Sequence, residues 1–394
     1  MPNPPRRFSH TLRATAGAAA LGLAALTGCA QTDSTTATSG YSGPIGDVDL
    51  KAVCPAKIVV QTDWNPEAEH GSLYQMLGPD PTYDAGAKKV TAPLFDRGEY
   101  TGVDLEIRSG GPAIGFQSVT SQMYQDPAIL LGYVDTDQAL QSAATNPTTG
   151  VFASLDINPQ MIMWDPATYP QVKTIADLRA TKATVLYFEG SAYMDYLTGA
   201  GILDKNQVDG SYDGSPSTFV AAGGTKAQQG FASAEPHLYE KEIDQWHKPI
   251  AYQLLHDAGY PIYKSALSVR TGELDANSAC LQRLVPVMQR AAVDYFADPA
   301  ETNDVILRAV DQYDTGWVYS AESAAYATEK MRTTGIVGNG TDTTVGDFDT
   351  ARVQRVIDIN KPILATQQIT TPPGLTPEQL ATNRFLDPSI GFAQ

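Results

Sequence analysis

The chain has 394 residues, a formal charge of −17 and 42% apolar residues. This length is too great for one ordinary hydrophobic core and predicts two lobes, and the composition is that of a soluble globular protein. The acidic charge repels phosphate backbones, so the sequence argues against binding to nucleic acid.

Residues 1–28 have the three parts of a secretory signal: arginines, an apolar run over residues 14–26, and small residues. The apolar run is too short to span a bilayer comfortably. Leu26-Thr27-Gly28-Cys29 resembles the bacterial lipobox, which implies that Cys29 carries a lipid on the outer face of the cell membrane. An ordinary secretory signal is the alternative, and the choice between general and twin-arginine export stays open. Residues 29–54 are predicted to be the lipidated cysteine and a flexible tether, because their first part is rich in Thr, Ser and Gly.

Two cysteines remain, Cys54 before the first strand and Cys280 in a later helical segment. In an oxidising compartment such a pair favours a disulfide, and two separate buried thiols are the alternative.

The first strand, Lys57-Ile58-Val59-Val60, leads directly into the most informative stretch of the chain. An aromatic side chain, short polar side chains and a new helix at the carboxyl end of a strand are typical of a ligand site in an α/β protein. The candidate ligand-binding residues here are Asp63, Trp64, Asn65, His70 and Tyr74. Each has a structural alternative: a core position for the rings, helix capping for Asp63 and Asn65.

The rest of the first lobe follows the same strand–turn–helix order, which predicts a parallel sheet with helical crossovers. Residues 79–98 form a polar section, and Val103, Leu105 and Ile107 predict a half-exposed strand that ends near Gly110. Residues 128–134 predict a buried strand. Asp135 and Asp137 follow it, and we expect at least one of them to line the site.

The second lobe restarts near Pro159. Its strands are predicted at 161–164, 183–188 and 217–220, with helices at 174–179, at 192–199 and after Gly223-Gly224. Its candidate ligand-binding residues are Glu189, Ser191, Tyr193 and Glu235. The first three lie where a helix begins, and a helix amino end favours an anion.

The chain then returns to the first lobe through a strand at 261–269. Residues 275–330 and 349–359 are predicted to be helical, and the tail from Thr370 to pack loosely. The domain prediction is therefore 55–157 for the first part of lobe 1, 158–260 for lobe 2, and 261–394 for the return and the C-terminal helices. Two crossings between lobes make a hinge beside a cleft.

No motif for a catalytic nucleophile, a phosphate loop, a dinucleotide or zinc occurs in the sequence. We therefore predict no catalytic residue, no metal, no cofactor and no enzymatic activity. Hydrolysis by a pair of Asp or Glu residues is the remaining enzymatic alternative.

The lipobox, the strand that runs into Asp-Trp-Asn-Pro, and the His-Gly and Tyr after it are similar to the solute-binding proteins of ABC importers. The branch is the one that handles nitrate, sulfonates, riboflavin and thiamine pyrimidine precursors. Further matches in the order of that family are Ser109-Gly110-Gly111-Pro112, Leu131-Gly132-Tyr133-Val134-Asp135, Glu189-Gly190-Ser191-Ala192-Tyr193 and Glu235-Pro236. The likeness covers roughly residues 55–270. The family also includes enzymes of pyrimidine synthesis with a cysteine-rich, iron-associated motif, which this sequence lacks.

The resemblance implies a two-lobed type II periplasmic-binding fold, here with a helical C-terminal extension, and delivery of a small ligand to a membrane permease by a monomeric protein. Acidic and aromatic side chains, with Arg108 as the one cation in these motifs, favour a neutral or cationic nitrogen heterocycle such as an aminopyrimidine. A sulfonate, nitrate or the anion of an aromatic acid is the alternative ligand.

Overall fold

The computed structural model describes residues 40–393, which build two β-sheets covered by helices. The strands of these residues are β1 (Lys57–Gln61), β2 (Thr82–Asp84), β3 (Lys89–Asp96), β4 (Glu99–Arg108), β5 (Ile129–Val134), β6 (Thr148–Phe152), β7 (Gln160–Trp164), β8 (Val185–Leu186), β9 (Val208–Asp209), β10 (Ala227–Phe231), β11 (Ala251–Leu254) and β12 (Ala266–Arg270). The helices are α1 (Gly71–Tyr74), α2 (Val119–Gln125), α3 (Thr136–Gln141), α4 (Ile175–Thr181), α5 (Ala192–Gly199), α6 (Ser217–Ala221), α7 (Glu235–His237), α8 (Ser278–Ala297), α9 (Ala300–Tyr313), α10 (Ala321–Thr333), α11 (Thr350–Thr366) and α12 (Pro377–Leu380).

The larger sheet has the strand order β2-β3-β4-β1-β5-β12-β6. It is parallel only across β4, β1 and β5, whereas β3 and β12 run antiparallel to their neighbours. The prediction of a parallel sheet therefore holds for its centre. Because β1 and β5 are parallel, their carboxyl ends meet at one edge, where the candidate site lies.

The expected half exposure of β4 is wrong, since Asp104 and Glu106 are buried together with the apolar side chains beside them. The Glu106 carboxylate lies 2.7 Å from Lys57 Nζ and 2.8 Å from Arg108 Nε. Burial by itself raises the pKa of Glu106, but these cations outweigh it and hold the pKa at about 2. An ion-paired carboxylate can thus occupy a covered face of the sheet.

The smaller sheet has the order β11-β7-β10-β8-β9. The chain passes from the larger sheet to the smaller one between Phe152 and Gln160 and returns between Leu254 and Ala266. The domain boundaries predicted after residues 157 and 260 lie within these two connections. The helix predicted at 174–179 is confirmed as α4, and a capping box begins it: the Thr174 hydroxyl accepts from the Asp177 N–H, and the Asp177 carboxylate accepts from the Thr174 N–H.

Two elements of the second lobe were predicted wrongly. Residues 217–220 are helical, and Gly223 and Gly224 lead into strand β10 rather than into a helix. Phe219 is the one fully buried side chain of α6, and its ring packs against Tyr239 and Trp246. The two glycines have φ angles of +61° and +78°, which end the helix and turn the chain into the strand.

Two other segments differ from prediction in the first lobe. Residues 79–98 contain the hairpin β2–β3, in which Val90, Ala92 and Leu94 are fully buried at period two. The tail after Thr370 packs firmly, because Phe385 is fully buried in the main core cluster. Helix α8 lies in the segment predicted to be helical, and its apolar side chains pack into the same cluster.

A disulfide joins Cys54, just before β1, to Cys280 in α8. It ties the start of the first lobe to the C-terminal helices across a sequence separation of 226. We expect a thiol titration of the unfolded, unreduced protein, with Cys29 replaced by serine, to find no free thiol. Two reactive thiols per chain would show that the bridge does not form.

The signal segment 1–28 and the lipidation site Cys29 lie outside the described residues. Part of the expected tether is described and is packed: the Gly46 N–H donates to Tyr100 O at 2.8 Å, and Leu50 is fully buried. Within residues 40–393, no helix has the length and apolar character needed to cross a bilayer.

Candidate ligand-binding cleft

A cavity of about 410 Å³ opens between the two sheets. Side chains at or beyond the carboxyl ends of β1, β5, β8 and β10 line it, together with the connection before β12 and the loop between α9 and α10. The size and position are those of a small-molecule site in an α/β protein. The lining residues used below are Asp63, Trp64, Glu67, Glu69, Phe116, Asp135, Asp137, Phe188, Glu189, Ser191, Tyr193, Tyr212, Gln229, Phe231, Glu235, Lys264, Ser265 and Trp317.

The turn after β1 directs Asp63 and Trp64 into the cavity. The Thr62 N–H donates to Arg108 O, and the Gly110 N–H donates to Trp64 O, both at 2.9 Å. A Cβ atom on Gly110 would lie 2.2 Å from Thr62 O, so only glycine permits this approach of the two strand ends. Backbone contacts therefore hold the turn, and both side chains lie at the cleft.

Aromatic rings from three parts of the chain meet at Trp64. Its ring centroid lies 6.1 Å from Phe116, 6.3 Å from Phe188 and 6.1 Å from Trp317. The Phe188 ring also contacts Tyr212, with centroids 4.9 Å apart. Such a wall suits a flat or cationic ligand, because ring faces stack and attract positive charge.

Lys264 is the one Lys or Arg among the cavity-lining residues of the described chain, and it is held by two carboxylates. Its Nζ lies 3.0 Å from Asp63 Oδ2 and 3.0 Å from Asp135 Oδ2. The Ser265 hydroxyl donates to Asp63 Oδ2 at 2.7 Å, and His70 Nε2 lies 3.0 Å from Asp63 Oδ1. Burial opposes ionisation of Asp63, but Lys264, His70 and Ser265 together lower its pKa far below the usual range. The lysine thus neutralises the protein's own carboxylates.

A second acidic group, the acidic trio, consists of Glu67, Glu69 and Glu235. The Glu235 carboxylate accepts from the Phe231 N–H at 2.6 Å, and Glu69 accepts from the Ser233 hydroxyl. No hydrogen bond from residues 40–393 reaches the Glu67 carboxylate. Burial, with repulsion from Glu69, raises the pKa of Glu235 to about 7. Burial and the neighbouring carboxylates raise the pKa of Glu67 well above its usual range.

Stability of the unliganded protein is expected to fall as pH rises from about 5 to about 7.5. Burial and repulsion from Asp135 raise the pKa of Asp137 to about 6, and Glu235 is raised to about 7. In this window the folded protein holds protons that the unfolded chain has released, so each shifted group costs on the order of 1 kcal/mol per pH unit. The opposite contribution of Asp63 is complete above about pH 4. Melting temperatures measured between about pH 5 and about pH 7.5 test this expectation. In Glu235→Gln the melting temperature should depend less on pH. A melting temperature that rises with pH contradicts the assignment.

No protein-family model matches this sequence, and no curated protein sequence matches it. Solved structures do match. The periplasmic aliphatic sulphonate-binding protein of Escherichia coli has a TM-score of 0.52 and 13% identity over 85% of this chain and 94% of its own. The alkanesulfonate-binding protein of Xanthomonas axonopodis pv. citri, bound to MOPS, has a TM-score of 0.50 and 12% identity over 83% of this chain and 99% of its own.

The fold is that of a type II periplasmic binding protein. Likeness at this identity concerns the backbone, so the ligand has to be argued from the side chains. The two lobes of that fold are the two sheets with their helices, and the C-terminal helices α8 to α12 extend it.

Most of the site residues predicted from the sequence line the cavity, and the others do not. Those at the cavity are Asp63, Trp64, Asp135, Asp137, Glu189, Ser191, Tyr193 and Glu235. Asn65 is buried and accepts a hydrogen bond from the Thr315 hydroxyl, and His70 is buried against Asp63. Tyr74 packs in the main core cluster, and Gly110 supports the Trp64 turn.

Sequence reasoning missed several residues of the cleft. Glu67 and Glu69 belong to the stretch after β1 that holds the predicted site. The two glutamates in alternate positions after Pro66 were an available signal. Lys264 and Trp317 had no such signal, since each belongs to a segment far along the chain. Phe188 was counted in a strand, yet β8 ends at Leu186 and frees its ring for the cavity.

Proposed function

We propose that this protein is the extracytoplasmic solute-binding component of an ABC importer, and that it captures a small nitrogen heterocycle between its two lobes. One observation carries the ligand class: the cavity joins an aromatic wall to acidic side chains, and its lysine, Lys264, is held by two aspartates. The proposal includes a lipid anchor at Cys29, a permease partner, a monomeric state and binding without turnover.

An aminopyrimidine satisfies both features of the cavity. Its flat ring can stack on Trp64, and its N–H groups can donate to the carboxylates beyond it. The two structural neighbours named above are described as binding proteins, which agrees with the importer role.

A sulfonate is the second candidate, because the two structural neighbours named above bind sulfonates by description. Helix α5 also begins at the cavity, where Ser191 occupies the cap position; its hydroxyl accepts from no helix N–H and instead donates to Phe188 O at 2.7 Å. Against it stand the carboxylates, since a like charge at about 4 Å costs on the order of 4 kcal/mol near a protein surface. No free arginine or lysine among the lining residues of the described chain offsets this cost.

Calorimetric titration of the purified protein with aminopyrimidines and with alkanesulfonates distinguishes the two ligand classes. We expect micromolar affinity for a pyrimidine and none for a sulfonate. A micromolar sulfonate overturns the ligand class, and chemical conversion of any bound compound overturns the binding role in favour of a hydrolase. Mass spectrometry of co-purifying compounds gives an independent identification of the ligand.

A further inference from the structure

Two connections join the lobes, residues 153–159 and residues 255–265, and one arginine of α11 binds both. Arg352 Nη1 donates to Asp156 O at 2.6 Å, and Nε donates to Pro261 O at 2.7 Å. Its Nη2 donates to the carbonyl oxygen of the residue after Pro261, also at 2.7 Å. The Arg352 side chain is 12% exposed. Because the guanidinium is a rigid, planar fork, these bonds hold the two connections at a fixed spacing.

The helix that carries Arg352 also packs on both lobes. Val353 and Ile357 are buried in one apolar cluster with side chains of β1 and β5, in the first lobe. Val356, on an adjacent face, is fully buried in another cluster with side chains of β7 and β8, in the second lobe. Just beyond the helix, Gln367 Nε2 donates to Asp195 Oδ2 of α5 at 2.7 Å. Helix α11 therefore lies against both lobes at once.

Helix α10 makes a second bridge between the lobes. Met331 is fully buried in a cluster that also contains Met163 of β7, in the second lobe, and Phe296 of α8. Helix α8 packs in the core of the first lobe. After α10, Ile336 O accepts from two N–H groups of the first connection, at 2.9 Å and 3.1 Å. Domains move relative to each other unless the interface between them is large and apolar, and here buried apolar side chains continue from one lobe to the other.

We propose that α10, α11 and Arg352, together the lobe clamp, hold the two lobes in one relative orientation, and that a ligand enters a cleft that is already formed. A hinge motion would have to break the hydrogen bonds of Arg352 and to expose apolar side chains of α10 or α11 to water, which is unfavourable. Entry needs no such motion, because the cavity reaches solvent. Its exposed lining residues include Phe116, Gln138, Gln141, Glu189 and Gly190. The lobe clamp is a property of the unliganded protein, and only its consequence for uptake rests on the proposed function.

Distances between spin labels on the two lobes test the lobe clamp. Ala144→Cys in the first lobe and Ala180→Cys in the second place the labels at exposed positions away from the cavity, and Cys29→Ser removes the remaining thiol. We expect pulsed electron resonance to give one narrow distance distribution, which 4-aminopyrimidine at millimolar concentration leaves unchanged. A second distance in the unliganded protein, or a shift of more than about 2 Å on adding the compound, overturns the lobe clamp. If 4-aminopyrimidine does not bind in calorimetry, a single unliganded distance still supports the lobe clamp, and the proposed ligand class alone loses support.

Variants of α11 identify the part that Arg352 plays. We expect Arg352→Ala to widen the distance distribution, because nothing then ties the two connections together. Arg352→Lys keeps the charge but loses the planar fork, so it should widen the distribution too, and it serves if Arg352→Ala does not fold. Arg355→Ala is the matched control on the same helix, since Arg355 is exposed and makes no hydrogen bond or ion pair with residues 40–393; it should leave the distribution narrow. A lower melting temperature in Arg352→Ala with a distribution as narrow as that of Arg355→Ala assigns Arg352 to stability alone and overturns its part in the lobe clamp.

Discussion

Trp64→Ala is expected to weaken ligand binding by about 10- to 100-fold and to leave the fold intact. Trp64 contributes its ring to the cavity and lies outside the buried core clusters of the described chain. Its loss removes both a stacking surface and the contact point of Phe116, Phe188 and Trp317. Titration calorimetry with the best ligand measures the affinity, and the melting temperature reports the fold.

The control for this variant is Val318→Ala, in the loop that also carries Trp317. Val318 is 76% exposed and does not line the cavity, so its truncation should change neither affinity nor stability measurably. An unchanged affinity of Trp64→Ala places the ligand elsewhere and removes the aromatic wall from the proposal. A large loss of stability in Trp64→Ala gives the residue a structural role instead.

Three of the predicted site residues that line the cavity, Asp63, Trp64 and Asp135, stand at the carboxyl ends of locally recognisable strands. Trp64 follows β1, Asp135 follows β5, and both strands are apolar runs that a turn interrupts. Parallel strands bring such ends to one edge without any knowledge of distant contacts. Local pattern was therefore sufficient to place Asp63, Trp64 and Asp135 at the cavity.

The residues that it could not predict depend on contacts made across long stretches of chain. Lys264 pairs with Asp63 over a separation of 201 residues, and no local sequence feature near either residue indicates the pairing. Trp317 reaches the cleft because the loop between α9 and α10 is fastened beside it, where the Tyr319 hydroxyl accepts from the Ala68 N–H at 3.0 Å. Single-sequence patterns carry no information of this kind.

His70 shows the reverse case, in which a correct local pattern left the role open. A histidine at its position, one helical turn before Tyr74, is more often structural, whereas the family resemblance favours the cleft. In the structure its ring stacks on Tyr133 with centroids 5.1 Å apart, and its Nε2 orients Asp63. His70 is buried behind the turn, which gives it a supporting role. That burial depends on tertiary packing, which the local sequence pattern does not contain.

Lys264→Met is expected to lower the free energy of unfolding by about 3–5 kcal/mol, because it leaves two buried carboxylates without their cation. The side chains of Lys264, Asp63 and Asp135 are 15%, 16% and 10% exposed, so water compensates little of the lost pairing. The Ser265 hydroxyl and the Ser265 N–H continue to donate to the two carboxylates, which keeps the connection before β12 in place. Chemical denaturation measures the loss.

Lys182→Met provides the matched control, since Lys182 and Asp204 form a surface pair whose side chains are 70% and 32% exposed. That pair should contribute less than about 1 kcal/mol. The two variants should also differ in their response to acid. Without Lys264 the pKa values of Asp63 and Asp135 rise in the folded state, so protonation relieves the unpaired charge and the deficit of Lys264→Met should shrink as the pH falls towards about 5. If the loss of unfolding free energy in Lys264→Met stays constant with pH, it comes from the packing of the lysine side chain and not from its charge. If the loss is no larger than that of Lys182→Met, the ion pairs do not stabilise the connection before β12.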